Sequence, residues 1–123
     1  MAARLQSRWQ LQEINPSTLI FEEEGITLEL WLGDVNTQLP ILAPAIENHI
    51  DCWYLDGFAP SKNPDMWSTL LFDEMWKSCR QGGSFAAFTA AGFVRRGLQQ
   101  AGFHVEKRLG FGKKREMLIG EKR

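Results

Sequence analysis

Cysteine is scarce in these 123 residues: Cys52 and Cys79 stand apart from each other and from any ligand set. That excludes a disulfide framework or a cysteine-built metal knot, and fits reduced thiols in buried elements of a cytoplasmic protein. Histidine is equally scarce. His49 and His104 have no companions that would make a metal site, so packing or surface positions are expected for both and no metal is predicted. No apolar run approaches the roughly 20 residues of a membrane-spanning helix, and no charged-then-apolar leader precedes a cleavage site. Repeats, low-complexity tracts and linkers are missing too, and the length is that of one domain. Finally, no G-x-G-x-x-G-like run occurs; the first glycine is Gly25.

Charge of one sign is scarce in each part in turn. The formal net charge is −1, yet residues 1–79 hold four Lys/Arg against twelve Asp/Glu, and residues 80–123 hold ten against three. Either the basic residues are spread over solvated faces, or they form a surface for a polyanion.

Periodicity supplies the elements. Residues 2–12 read as a short amphipathic helix with Leu5, Trp9 and Leu11 as contacts. Ser17 to Glu23 and Ile26 to Leu32 alternate around Glu24-Gly25, a β-hairpin. Leu39 to Ile50 reads as a helix with Pro40 and Pro44 near its first turn. A strand follows at 51–56. A helix opened by Pro64-Asp65-Met66 runs to about Arg80 and is stopped by Gly82-Gly83. Ser84 to Thr89 is an apolar strand without alternation, as expected when both faces are covered. Ala90 to Ala101 is a helix closed by Gly102, and strands at 103–109 and 115–120 end the chain. The order predicts an α/β fold: a parallel sheet with an antiparallel pair at its edge.

The loop from Asp56 to Trp67 carries the strongest sign of a site. In open α/β sheets ligands bind at the carboxyl ends of strands. Asp56 stands at such an end, followed by Gly57, Phe58, Pro60, Asn63 and Pro64. Asp56 is either a site carboxylate or a capping turn residue.

The run Asp51-Cys52-Trp53-Tyr54-Leu55-Asp56-Gly57-Phe58-Ala59-Pro60 through Trp67 resembles the methyltransferase domain of the bacterial tRNA-modifying MnmC family. So do Leu30-Trp31-Leu32-Gly33-Asp34, Thr89 through Leu98, Ala101-Gly102-Phe103, and Gly110 through Leu118. The resemblance covers essentially the whole chain. It implies a Rossmann-like, class I, S-adenosylmethionine-dependent fold with strand order 3-2-1-4-5-7-6. It also implies methylation of the aminomethyl group on the wobble uridine of tRNA. In that family an FAD-dependent oxidoreductase domain acting on a CH–NH bond supplies the amine; nothing in these residues corresponds to it.

The chain resembles only the C-terminal half of that domain, residues 1–123 forming a partial, truncated unit. The first two strands and the Gly-rich cofactor turn have no counterpart. Weak or absent S-adenosylmethionine binding and no methylation by the chain alone are therefore expected. The alternatives are a non-catalytic tRNA-binding or protein-interaction module, and a half-enzyme completed by a partner chain.

Methyl transfer to an amine needs an oriented, unprotonated nitrogen and dispersal of its developing charge. The resemblance gives Asp56 that role and makes Phe58 an aromatic wall. It places Asp34 against the cofactor's adenine amino group, the alternative being a strand-end turn. Thr89, with Ala90 and Ala91, leaves room for a ligand. Lys62, Arg95, Arg96, Lys113, Lys114 and Arg115 are candidate RNA contacts, joined by Lys107, Arg108 and a stacking Phe111. Arg115 and Glu116 are alternatively a structural ion pair near Asp56. Removal of the first strands would leave the strand at 51–56 with a bare apolar edge. Either the hairpin folds inward to pair with it, or two chains form a homodimer, the arrangement favoured here.

Overall fold

The computed structural model describes residues 17–56, 64–109 and 116–123, and the chain divides into two compact units, residues 1–33 and 34–123. In the first unit, β1 (Ser17–Phe21) and β2 (Ile26–Leu30) form an antiparallel hairpin, in register from Ser17↔Leu30 to Phe21↔Ile26. The turn takes Glu22 to Gly25, so both strands are shorter than the alternation alone suggests. Gly25 has φ +65°, where a side chain is disfavoured, and its N–H donates to the Glu22 carbonyl at 3.2 Å. The helix expected at 2–12 lies outside the described residues.

In the second unit, α1 (Val35–Ile46) starts earlier than expected because Asp34 caps it, its Oδ1 accepting from the Asn36 N–H at 2.8 Å. Pro40 and Pro44 consequently fall inside the helix, both exposed, rather than in its first turn. Burial of Leu39, with Val35 and Ile46 packed on the core, outweighs the helix-breaking tendency of the two prolines. The chain reverses through Asn48, at φ 58°, into β3 (Ile50–Leu55).

Helix α2 (Thr69–Ser78) begins later than expected. Pro64 to Met66 form a turn instead, closed by Trp67 N–H on the Pro64 carbonyl at 3.2 Å. Ser68 sets the start: its Oγ accepts from Leu71 N–H at 3.1 Å. Ser78 ends the helix, donating to the Met75 carbonyl at 3.1 Å and accepting from the Trp53 indole at 3.0 Å. Strand β4 (Cys79–Ala87) therefore includes Gly82-Gly83, where its register against β3 shifts. Helix α3 (Gly92–Ala101) closes at Gly102, with φ 126°. Strands β5 (His104–Leu109) and β6 (Glu116–Glu121) follow.

The sheet order is β3-β4-β6-β5. β3 and β4 are parallel, and β6 is antiparallel to both β4 and β5, so β3, β4 and β5 all point one way. The α/β fold with an antiparallel edge pair is the one the sequence predicts. The hairpin makes a two-stranded sheet of its own. The outer edge of β3 has no strand partner among the described residues.

All three helices contribute to one core against one sheet face: Leu39, Leu71, Phe72, Met75, Val94 and Leu98 meet Leu55, Phe85, Ala87, Val105 and Leu118. Phe103 packs edge-on to both Trp76 and Phe85, at centroid distances of 5.3 and 5.1 Å. The other face carries Cys52, Tyr54, Ser84, Ala86, His104, Glu106 and Ile119 along a groove of about 440 Å³. Tyr54 is 71% exposed there. The expectation that both faces of the sheet are covered thus fails for the described residues, and Cys52 is exposed while Cys79 is buried.

Candidate functional site

The three parallel strands bring the described site residues towards one edge. Leu55 pairs with Ala87, and Phe88 N–H donates to the Leu55 carbonyl at 3.1 Å. Asp56 and Thr89 therefore leave the carboxyl ends of adjacent strands, where α/β sheets bind ligands. Thr89 Oγ1 accepts from Ala91 N–H at 3.2 Å, which shapes the turn into α3. Ala90 and Ala91 are half-buried and small, and Ala91 gives that helix no side-chain cap.

Arg95 and Arg96 lie in the first turns of α3 at the same edge. The Arg96 guanidinium folds back over Gly92, where an added Cβ would come within 2.9 Å of Nη1. β5 also points this way, so the segment 110–115 leaves from Leu109 and returns at Glu116, two residues that pair at this edge. Glu116 meets Lys107, Oε2 to Nζ 3.6 Å, with both side chains about half exposed. Such a pair contributes little stability. Arg115, the partner expected for Glu116, lies outside the described residues.

Asp34 reaches this edge through its helix. Asn36 Nδ2 donates to the Asp65 carbonyl at 2.7 Å, and its Oδ1 accepts from Ser68 Oγ at 2.6 Å. The start of α1 is thereby tied to the start of α2, on the connection that follows Asp56. Asp34 has the turn role given as its alternative. One capping bond does not exhaust a carboxylate, which has about four acceptor positions.

Phe58, Lys62, Lys113, Lys114 and Arg115 lie outside the described residues, as does Phe111. His49 Nδ1 lies 2.6 Å from the Glu47 carbonyl, and His104 Nε2 lies 3.2 Å from Glu106 Oε1. Among the described residues no group of three His, Cys, Asp or Glu is placed to hold a metal ion, and no helix is long and apolar enough to cross a membrane. Sequence reasoning missed Asn36 and Ser68. The available signals were an Asn two residues after a strand-end Asp, and a Ser immediately before an apolar helical repeat.

The sheet order β3-β4-β6-β5 corresponds to the 4-5-7-6 part of the class I methyltransferase order. A family model described as S-adenosyl-L-methionine-dependent methyltransferase matches residues 1–123. The chain belongs to that family. It is also similar in structure to MnmC2 from Aquifex aeolicus, with a TM-score of 0.72 and 21% identity over 98% of this chain. It spans 37% of that protein's length. The fold is thus that of an MnmC-type methyltransferase domain.

The family implies S-adenosylmethionine, and the residues present fit one end of it. Asp34 and the small run Thr89–Ala91 suit a nucleoside at the carboxyl edge. The sequence offers no glycine-rich turn for the other end.

Proposed function

We propose that this chain forms the acceptor side of a methyltransferase acting on the aminomethyl group of the wobble uridine in tRNA. The observation that supports this reading is the convergence at one sheet edge. Asp56, Thr89 and the Asp34 turn come from three connections, and Arg95 and Arg96 from the start of α3; all lie towards the carboxyl ends of β3 and β4. S-adenosylmethionine, when bound, supplies a methyl group activated by its sulfonium. Asp56 orients the acceptor amine by hydrogen bonding and disperses the positive charge that develops on nitrogen. Phe58 walls the base, and the small residues after β4 leave room for the reacting groups. Lys62, Arg95, Arg96, Lys113, Lys114 and Arg115 hold tRNA phosphates.

With no glycine-rich turn among them, these 123 residues by themselves hold the cofactor weakly or not at all and do not methylate. We assign the chain to the cytoplasm, where its two free thiols stay reduced. We also assign it a homodimeric state: the outer edge of β3, which has no strand partner among the described residues, suits the same edge of a second copy. A monomeric mass by light scattering at micromolar concentration would overturn the dimer.

The functional test combines two changes. Charge reversal at Lys113, Lys114 and Arg115 should weaken tRNA binding at least tenfold at physiological salt and flatten its salt dependence. Asp56→Asn should leave tRNA binding intact but abolish methyl transfer in a system completed with the missing half. Unchanged tRNA binding in the triple variant would remove the basis for the RNA reading. Normal transfer by Asp56→Asn would overturn the role given to Asp56, and no transfer by the parent chain in that completed system would favour a non-catalytic tRNA-binding module.

A further inference from the structure

We infer that Asn36 is a positioning residue that sets the two ends of the site relative to one another. The inference rests on the reading of the Asp56–Trp67 connection as the acceptor loop. Asn36 takes part in three hydrogen bonds with separate consequences. Its backbone N–H donates to Asp34 Oδ1 at 2.8 Å, fixing the turn that carries the cofactor-side carboxylate. Its Nδ2 donates to the Asp65 carbonyl at 2.7 Å, fixing the turn Pro64–Met66 at the far end of the acceptor connection. Its Oδ1 accepts from Ser68 Oγ at 2.6 Å, and Ser68 in turn accepts from Leu71 N–H at 3.1 Å.

A single residue therefore joins two helix caps and one loop carbonyl, the first cap through its backbone and the rest through its side-chain amide. Only an amide of this length offers a donor to the carbonyl and an acceptor to the hydroxyl at once. The near end of the connection is fixed by β3, because Asp56 follows its last residue directly. The far end is fixed by Asn36. Trp67, buried between the Asp65 and Ser68 contacts, gives that end a rigid apolar foot. A displacement of about 1 Å at such a frame is enough to cost about 10²-fold in rate when reacting atoms must align.

The arms separate by mutation. Asn36→Asp keeps the acceptor for Ser68 but turns the second arm into an oxygen facing the Asp65 carbonyl. An acid near a helix N-terminus suits the helix dipole, so α1 should persist. Ser68→Ala removes the cap of α2 while leaving the Asp65 carbonyl bond. Hydrogen exchange by mass spectrometry on the whole chain, with thermal melting alongside, reads both. Asn36→Asp should speed exchange across 64–68 at least tenfold, with exchange in β4 and β6 unchanged. Ser68→Ala should lower the melting temperature and leave 64–67 nearly as protected as in the parent.

A merely structural Asn36 would instead accelerate exchange everywhere in proportion to lost stability, and that outcome overturns the inference. So does exchange across 64–68 within twofold of the parent. If Asn36→Asp does not fold, the side-chain amide protons of Asn36 in the unmodified chain decide the matter by NMR. Slow exchange upholds the anchor, and solvent-like exchange refutes it. The functional reading is tested separately by tRNA affinity of Asn36→Asp. Loosened 64–68 with undiminished affinity would leave the anchor standing and count against the acceptor role of the loop.

Discussion

Lysine is ordinarily solvated, yet Lys122 is only 9% exposed. Its Nζ donates to the carbonyls of Trp76 and Cys79 at 2.9 and 3.0 Å and to Asn48 Oδ1 at 3.4 Å. It also stands 4.6 Å from the centroid of the Trp76 ring. Those carbonyls belong to the C-terminal end of α2, where backbone acceptors lack intrahelical partners and the helix dipole favours a cation. Replacement by methionine keeps the apolar stem and deletes the donors. Each buried carbonyl left unsatisfied costs about 1–3 kcal/mol, and the lost cation–π contact about 1 kcal/mol. Relief from burying an ammonium offsets part of this.

The net expectation for Lys122→Met is a loss of about 2–3 kcal/mol, or roughly 8–12 °C in melting temperature for a chain of this size. The backbone of Lys122 is held independently by Gly82 N–H on its carbonyl at 2.7 Å and by its own N–H on Gly83 at 2.9 Å. The substitution therefore isolates the side chain. Urea denaturation followed by far-ultraviolet circular dichroism measures the change. A difference under about 0.5 kcal/mol with an unchanged m-value would refute the reasoning.

Three further outcomes are expected. At Gly120 an added Cβ would run into the His104 carbonyl and the Phe85 ring. Relief requires parting β5 from β6 or displacing a buried ring, so Gly120→Ala should cost about 2–3 kcal/mol by denaturant titration; a neutral result would contradict the packing described. Burial raises the Cys79 thiol pKa, with Lys122 and Arg80 pulling it the other way. The unfolded chain then loses that proton first, so stability present below the ordinary thiol range, near about 8.5, is lost as pH rises through it towards the folded value. Cys79→Ala should flatten that alkaline decline, and an unaltered slope would exclude the thiol as its source. In the folded parent, Cys52 should react with a thiol reagent well before Cys79.

The order of elements was legible because it rests on periodicity and glycine punctuation, features that do not need a partner. Helix starts were less so. Pro40 and Pro44 suggested a later start for the first helix, but the cap at Asp34 and the apolar contacts of Val35 and Leu39 set it earlier. Pro64 suggested an earlier start for the second, and Ser68 set it later. The open sheet face was hidden because Cys52-Trp53-Tyr54-Leu55 is apolar throughout, so no alternation told the buried Leu55 from the exposed Tyr54. Asp56 was legible as a strand-end residue. The bridge through Asn36 was not, because it joins positions 29 and 32 residues apart in sequence.

Cofactor affinity tests the central claim, that an MnmC-type methyltransferase fold here keeps the acceptor edge without the turn that anchors the cofactor. Titration of S-adenosylmethionine into the 123-residue chain by isothermal calorimetry should give no saturable heat in the micromolar range. A dissociation constant near about 1 µM, equivalent to about −8 kcal/mol, would contradict the account, because the residues present would then anchor both ends of the cofactor without a glycine-rich turn.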